Sequence, residues 1–169
     1  VPAAGIRQIG AEDVANFKEH GYVCKLISTG SFEDGTLHAY VQPTLVSEGE
    51  PESAVPANFN LITFVGTASG RMSFYGQGAG RYPTAYNVVQ DCADVLQGRG
   101  YYSPYGGKVA ADNSVLCTYY VRGETDAWLQ ENTAETWGDA VITKPVAVKR
   151  MHQWLAAHPG AFIAGFAKK

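Results

Sequence analysis

Alternating apolar and polar positions predict a helix and a β-hairpin in the first third of the chain. Val14 and Phe17 lie three residues apart on one face of a short helix, which Gly21 would end. In the stretch TLHAYVQ, apolar and polar residues alternate with a period of two, which is typical of a half-buried strand. Asp34-Gly35 favours a tight turn between two such strands. The predicted elements are a helix over 11–20 and strands over 22–32 and 36–46.

A polar segment with two prolines, residues 47–60, predicts a loop with one helical turn after Pro51. The stretches LITFVG and GRMSFYG then predict a second hairpin. Thr84 is a good N-cap residue, and the apolar stripe behind it predicts a helix that ends near Leu96. The stripe consists of Ala85, Val88, Val89, Cys92, Val95 and Leu96.

The last third of the chain predicts strands that alternate with short helices, which is typical of a small α/β unit. A stretch rich in glycine and tyrosine precedes it and is the best candidate for a domain boundary. The predicted elements are strands over 115–122, 140–146 and 161–166 and helices over 126–137 and 148–157.

Composition indicates a folded protein with no electrostatic reason to bind nucleic acid. The chain has 169 residues, enough for one domain or two small ones, and 46% of them are hydrophobic. The net charge is −3, whereas nucleic-acid binders usually carry a basic patch. No apolar run approaches the ~20 residues that a membrane helix needs. We therefore expect neither a nucleic acid nor a membrane as partner.

The first residues and the cysteines bear on whether the chain is part of a longer protein and on its cellular compartment. VPAAGIRQIGAED lacks the basic and long apolar segments of a signal peptide and has no initiator methionine. We therefore expect a piece of a longer protein. Cys24, Cys92 and Cys117 are few and far apart, which fits reduced thiols in the cytoplasm better than a disulfide framework.

The stretch RMSFYGQGAGRYPTAYNVVQD places three glycines between a predicted strand and a predicted helix. Glycines at 76, 78 and 80 expose backbone N–H groups, and the start of a helix adds unpaired donors and a partial positive charge. A phosphate or carboxylate would suit such a place. The spacing G-x-G-x-G matches neither the dinucleotide fingerprint nor the phosphate loop that ends in Gly-Lys. The alternative is that these glycines only permit a sharp turn.

The residues of this loop, taken with others, resemble homoserine dehydrogenase. That family carries a strand of the VHPTLI type, an FNAV strand, and then FYGxGAGxxPTAxAVVxD. The counterparts here are Pro43-Thr44-Leu45, Phe59-Asn60 and Phe74 through Asp91. The segment GIRQIGAEDVANFKEHGYVCKL is similar to the family segment that leads into this region. Tyr86 departs from the pattern, because the family prefers a small residue there.

The resemblance implies an α+β fold, with a mixed or antiparallel sheet, helices packed on one face and a sheet that helps to build a homodimer. It implies NAD or NADP as the cofactor of the full-length enzyme, not retained by this chain alone. Pro83 would brace the turn, and Arg81 is more simply a solvated charge. The implied cofactor-binding residues are Gly76, Gly78, Ala79, Gly80 and Thr84.

No catalytic residue is assigned to this chain. The family's nucleotide domain and proton-handling lysine correspond to a segment before Val1, so the missing N-terminal nucleotide-binding domain is an expected partner. Lys18 and Lys25 are most simply surface charges. His20 and Cys24 are four residues apart but fall on different elements, so no metal site is predicted. The other weak candidates are His38, His152, His158 and the pair Asp91 and Asp94.

The tail resembles an ACT domain in its opening strand, VLCTYYVRGETDAWL, but lacks the Pro-Gly that precedes the first helix of such domains. The sequence predicts three strands, whereas the ACT order βαββαβ has four. An ACT-like, ferredoxin-like lobe with an amino-acid effector and an accessory lobe that only packs or dimerises are weighed equally. The predicted domains are 1–98, a linker over 99–113, and the tail over 114–169.

Three functions follow from this interpretation. The first is that the chain is part of a homoserine dehydrogenase and is inactive alone. The second is a stand-alone sensor whose tail binds an amino acid such as threonine. The third is a scaffold that forms a dimer and binds neither ligand.

Overall fold

The structure, a computed structural model, describes residues 1–100 and 110–167. Most of the predicted linker therefore lies outside the described residues. The helices are α1 (Ala11–Glu19), α2 (Arg81–Leu96), α3 (Ala127–Glu131) and α4 (Val148–Ala157), with one 3-10 turn at Pro51–Ala54. The strands are β1 (Tyr22–Glu33), β2 (Thr36–Ser47), β3 (Phe59–Gly66), β4 (Gly70–Gln77), β5 (Leu116–Cys117), β6 (Tyr119–Arg122), β7 (Thr133–Trp137), β8 (Ala140–Thr143), β9 (Val146–Ala147) and β10 (Phe162–Phe166).

A six-stranded sheet with the order β1-β2-β10-β6-β8-β7 forms the centre of the first of two compact units. β10 runs parallel to β2 and antiparallel to β6, so the sheet is mixed. This confirms the predicted α+β class. The unit contains residues 1–53 and the described residues from 110 onward.

The last part of the chain has the element order βαββαβ, made by β6, α3, β7, β8, α4 and β10. Its four strands lie in the order β10-β6-β8-β7, which is a ferredoxin-like arrangement. The predicted helix over 126–137 is wrong in its second half, because Thr133–Trp137 is strand β7. Gly138, at φ 59°, makes the turn that returns the chain to β8. This fourth strand is the one that the sequence pattern did not reveal.

The compact units differ from the predicted domains. The predicted boundary separates 1–98 from 114–169, but β2 and β10 pair across it in one sheet. Buried polar contacts join the same segments: Tyr119 Oη donates to Gln42 Oε1 at 3.1 Å, and His152 Nε2 lies 3.0 Å from the same oxygen. Hydrogen bonds and strand pairing therefore link the tail to the first hairpin within one compact unit.

Both faces of the sheet are packed, which follows from the period of two along β6. Tyr119 and Tyr120 are consecutive and both fully buried, but they belong to different core clusters. Tyr119 packs in the cluster that includes Met151 of α4. Tyr120 packs in the cluster that includes Phe17 of α1, with ring centroids 4.8 Å apart. Adjacent strand residues point to opposite faces, so helices cover the sheet from both sides.

The second unit contains residues 54–108, of which those up to 100 are described. Its hairpin pairs Phe59 with Gln77 at one end and Gly66 with Gly70 at the other, as predicted. Helix α2 begins at Arg81, with Gly80 as the N-cap, so the prediction of Thr84 as N-cap is wrong. Proline is tolerated in the first turn of a helix, so Pro83 did not delay its start. The backbone N–H of Thr84 donates to the Gly80 carbonyl at 3.1 Å.

Candidate functional site

The glycine loop connects β4 to α2 in the second unit. Asn58, in the turn before β3, holds it through two hydrogen bonds: its carbonyl accepts from the Gly78 N–H at 2.9 Å, and its Nδ2 donates to the Ala79 carbonyl at 2.7 Å. Because both bonds go to the backbone, they fix the path of the loop whatever its side chains are. Gly78, Ala79 and Gly80 therefore lie together in one exposed turn, and Gly76 lies just before it in β4, opposite Asn60.

The structure explains the presence of glycine differently at each of the three positions. A Cβ at Gly78 would overlap the side-chain amide of Asn60, so a side chain at this position requires the exposed Asn60 side chain to move. Gly80 has φ 124°, a conformation that L side chains rarely adopt. A Cβ at Gly76 would meet nothing within 4 Å. Gly76 is therefore the glycine whose bare backbone has no explanation within the surrounding fold.

The first turn of α2 supplies the donors of the site. The N–H groups of Gly80, Arg81 and Tyr82 cannot have a partner four residues earlier within the helix, and Pro83 has no N–H. The partial positive charge of the helix start lies at the same place. Arg81 stacks its guanidinium 5.8 Å from the ring centroid of Tyr82. The arrangement can bind an anionic group through backbone donors.

Thr84 contributes less than predicted. Its N–H is already used by the Gly80 carbonyl, and it lies one turn into α2. Its backbone donor is therefore not available to a ligand, and its exposed side chain would have to make any contact.

The other candidate residues of the sequence belong to other elements of the chain. Among the described residues, no group of three or more His, Cys, Asp or Glu side chains could hold a metal ion. His20 stacks on Trp137 with ring centroids 3.7 Å apart, and Cys24 lies in β1. Asp94 accepts from Gln90 Nε2 at 3.2 Å and pairs with Arg99 at 3.5 Å on the exposed surface of α2. Burial raises the pKa of the Cys24 thiol to about 11, which makes it a poor nucleophile.

Sequence reasoning missed two groups that shape the molecule. Asn58 and Asn60 define the loop; Asn60 was recognised only as part of the strand that resembles the family's FNAV stretch, and Asn58 had no signal. Asp13 is completely buried and accepts hydrogen bonds from Tyr120, Arg122 and the Gly10 N–H. Burial would raise the pKa of Asp13, but these hydrogen bonds, led by that from Arg122, outweigh it and hold the pKa below its usual value. Its place three residues after the N-cap Gly10 is a local capping pattern, but nothing local indicates its bonds to Tyr120 and Arg122.

No helix of the described ranges, 1–100 and 110–167, has the length and apolar character to cross a membrane.

Comparison of the chain with known proteins finds similarity to one protein family. The family model described as homoserine dehydrogenase matches residues 1–93. A homoserine dehydrogenase of Bacillus subtilis is 41% identical over 97 residues, 57% of this chain and 22% of the relative. A homoserine dehydrogenase of a Synechocystis species is 32% identical over 123 residues, 70% of this chain and 28% of the relative. The matched segments thus cover less than a third of the length of these relatives.

Solved structures show the same fold over nearly the whole chain. A homoserine dehydrogenase from Thiobacillus denitrificans superposes with a TM-score of 0.69 at 21% identity, over 99% of this chain and 48% of that one. One from S. aureus superposes with a TM-score of 0.62 at 22% identity, over 98% of this chain and 47% of that one. Since the family model covers more than half of the residues, the chain belongs to the homoserine dehydrogenase family.

Proposed function

We propose that this chain is part of an NAD(P)-dependent homoserine dehydrogenase, which interconverts L-homoserine and L-aspartate 4-semialdehyde in threonine and methionine biosynthesis. Family membership over residues 1–93 is the observation that carries the proposal. In this function the chain supplies one wall of the cofactor pocket, and other parts of the same protein supply the nucleotide-binding domain and the catalytic groups.

The glycine loop fits this role in its chemistry. Bound NAD(P) would accept or donate the hydride, and its pyrophosphate or the carboxamide end needs donors that bare backbone can bring close. Arg81 and Tyr82 offer such N–H groups at the first turn of α2, and no Cβ stands beside Gly76. Asn58 holds the loop in place before any ligand arrives, so that little ordering is needed on binding.

Exposed apolar side chains support the view that the second unit works inside a larger enzyme. Helix α2 has no buried residue, and Val89, Val95 and Leu96 are 68%, 75% and 87% exposed. In the hairpin of the same unit, Phe64 and Phe74 are each 58% exposed. A folded protein rarely leaves so many large apolar side chains of one unit in water unless another element covers them. We assign this cover to the part of the enzyme that lies outside these 169 residues.

Enzyme kinetics test the proposal. The full-length protein should oxidise homoserine with NADP or NAD, and the 169-residue chain should not. Gly76→Val in the full-length enzyme should raise the KM for the cofactor at least tenfold with a smaller effect on the KM for homoserine. Gly49→Val, in a turn outside the glycine loop, is the matched control. Turnover by the 169-residue chain alone would refute the proposed division of labour.

A second candidate, an amino-acid-binding regulatory module, is favoured by the βαββαβ order of the last part of the chain. The turn between β6 and α3, Gly123 to Asp126, lacks a Pro-Gly, and Asp126 caps α3 by accepting from the Leu129 N–H at 2.7 Å. Calorimetry with threonine and methionine separates this candidate from the first. Saturable heat with threonine and none with NADP would favour the regulatory module.

A further inference from the structure

The side-chain amide of Asn60 lies against the glycine loop. Asn60 belongs to β3, and its amide occupies the place that a Cβ of Gly78 would take. The side chain is exposed, and it makes no hydrogen bond within the part of the chain that the structure describes. Asn58 differs, because its Nδ2 already donates to the Ala79 carbonyl. Asn58 therefore holds the loop, whereas the amide of Asn60 is available to a ligand.

Asn60 and Gly76 are directly opposite each other in the hairpin of β3 and β4. Opposed residues of antiparallel strands present their side chains on the same face, with Cβ atoms ~4.5–5.5 Å apart. Gly76 has no side chain there, and a Cβ added to it would meet nothing within 4 Å. The pair therefore leaves an open space, the Asn60 slot, between the bare backbone of Gly76 and the amide of Asn60.

The Asn60 slot suits an amide group better than a phosphate. A side-chain amide offers both a donor and an acceptor, so another amide satisfies both at once, whereas the oxygens of an ionised phosphate only accept. The next pair on this face is Ile62 with Phe74, and both side chains are apolar. Apolar neighbours disfavour a charged group, because removing a charge from water is costly. The slot is therefore matched to a planar, uncharged group with one donor and one acceptor side.

We propose that Asn60 binds the carboxamide of the nicotinamide ring and that Gly76 leaves the space for this group. The inference rests on the proposed function, because it takes NAD(P) as the ligand. Asn60 Nδ2 donates to the carboxamide oxygen, and Asn60 Oδ1 accepts from the carboxamide nitrogen. This contact supplies a reason for glycine at position 76, which packing within the unit does not. Asn58 then positions the loop, and Asn60 contacts the cofactor.

Binding of a cofactor analogue by the full-length protein tests this contact. In the acetylpyridine analogue of NAD(P), a methyl group replaces the NH2 of the carboxamide, so only one of the two hydrogen bonds can form. By titration calorimetry, the wild type should bind the analogue roughly three- to tenfold more weakly than the natural cofactor, as expected for one lost hydrogen bond. Asn60→Ala can form neither bond, so it should bind the natural cofactor and the analogue with nearly equal Kd.

Asn60→Asp separates a direct contact from a change in the shape of the loop. Aspartate has nearly the same size and still accepts from the carboxamide NH2, but it cannot donate to the carboxamide oxygen. This variant should bind both dinucleotides roughly threefold more weakly or worse, and it should keep the preference for the natural cofactor. Asn87→Ala, at an exposed asparagine of α2, is the matched control and should leave both Kd values unchanged. If Asn60→Ala weakened both dinucleotides by the same factor, Asn60 would act only on the shape of the loop, and the inference would be overturned.

Measurements of binding and of turnover distinguish failure of this inference from failure of the proposed function. A full-length protein that binds NAD(P) with the expected preference but does not oxidise homoserine would contradict the proposed reaction and support the contact. Turnover of homoserine, together with an unaltered preference in Asn60→Ala, would overturn the contact alone. A full-length protein that binds neither NAD nor NADP would overturn both.

Discussion

The carboxylate of Asp13, at the start of α1, receives two hydrogen bonds from the guanidinium of Arg122, at the end of β6. Nε donates to Oδ1 at 2.7 Å and Nη2 donates to Oδ2 at 2.9 Å, across 109 positions of sequence. Tyr120 Oη adds a third bond to Oδ1 at 2.7 Å, and the Gly10 N–H adds a fourth to Oδ2. Arg122 Nη2 also donates to the Gln8 carbonyl at 2.6 Å. This pair therefore attaches the first helix to the strand of the tail.

Asp13→Asn should lower the free energy of unfolding by about 2–4 kcal/mol, because the change leaves Arg122 and Tyr120 with an uncharged and poorly matched partner. Denaturation by urea measures the effect. Glu12→Gln is the matched control: Glu12 Oε1 also approaches Arg122 Nε, at 3.6 Å, but its side chain is 70% exposed. We expect the control to change stability by less than about 1 kcal/mol. Equal losses in both variants would contradict the assigned role of Asp13.

The lowered pKa of Asp13 predicts that the protein loses stability in acid. The pKa of Asp13 lies below its ordinary value of 3.8 in the folded protein, so its contribution is present above pH 3.8 and is lost as the pH falls through the folded value. Asn at this position cannot titrate. The difference in stability between wild type and Asp13→Asn should therefore shrink below pH 4, and urea denaturation at several pH values measures it. A constant difference down to pH 2 would contradict the prediction.

Protonation of His152 should cause a second loss of stability, at a higher pH than that of Asp13. Burial lowers the pKa of His152 below its ordinary 6.5, so the unfolded chain binds the proton more readily than the folded one. Stability is thus complete above pH 6.5 and declines as the pH falls toward the folded value. In the folded protein the ring donates through Nε2 to Gln42 Oε1, because that carbonyl oxygen can only accept. His152→Gln keeps a donor there and should flatten the stability profile between pH 5 and 7. An unchanged profile would show that another group titrates.

The glycine loop predicts opposite outcomes for two similar substitutions. Gly78→Ala should destabilise the loop, because its Cβ would overlap the Asn60 amide, at a cost of about 1–3 kcal/mol for overpacking. Gly76→Ala should be close to neutral, because the space beside it is open. Hydrogen exchange of residues 58–80 measures the local effect.

Removal of the Asn60 side chain is the control for these two glycine variants. Asn60→Gly should rescue much of the loss in Gly78→Ala, because it removes the group that the new Cβ would meet. If Gly78→Ala and Gly76→Ala were equally mild, the loop would have room that its contacts do not indicate.

The sequence predicted those elements that depend on local patterns. Helix α4 has the predicted bounds, because its apolar face and the Pro159-Gly160 pair after it are both local signals. Both hairpins were also predicted, from alternation and turn residues.

Two pairings were not predicted. Thr133–Trp137 has strand-forming Thr and Trp residues and a Gly138-Asp139 turn after it, but it follows a run of helix formers, and this run favoured a helix over the strand that pairs with β8. The junction of β2 with β10 joins segments some 120 positions apart, which no window along the chain can reveal. For the candidate site, the three glycines were evident from the sequence, but the structural reason for a glycine at each position was not. The requirement for Gly78 comes from Asn60, which reaches it only because the hairpin places Asn60 opposite Gly76.

The exposed face of α2 predicts that Val89→Asp has different effects in the 169-residue chain and in the full-length enzyme. In the 169-residue chain, Val89→Asp should raise solubility and reduce binding of an apolar dye, without loss of thermal stability, because Val89 is 68% exposed. In the full-length enzyme the same change should lower stability by about 2–4 kcal/mol, because a charge would be buried where a valine packs. Asn87→Asp adds the same charge to a neighbouring exposed position of the helix and is the matched control. If Val89→Asp were as well tolerated in the full-length protein as in the chain, the rest of the enzyme would not cover this face, and the proposal that α2 completes its packing there would fail.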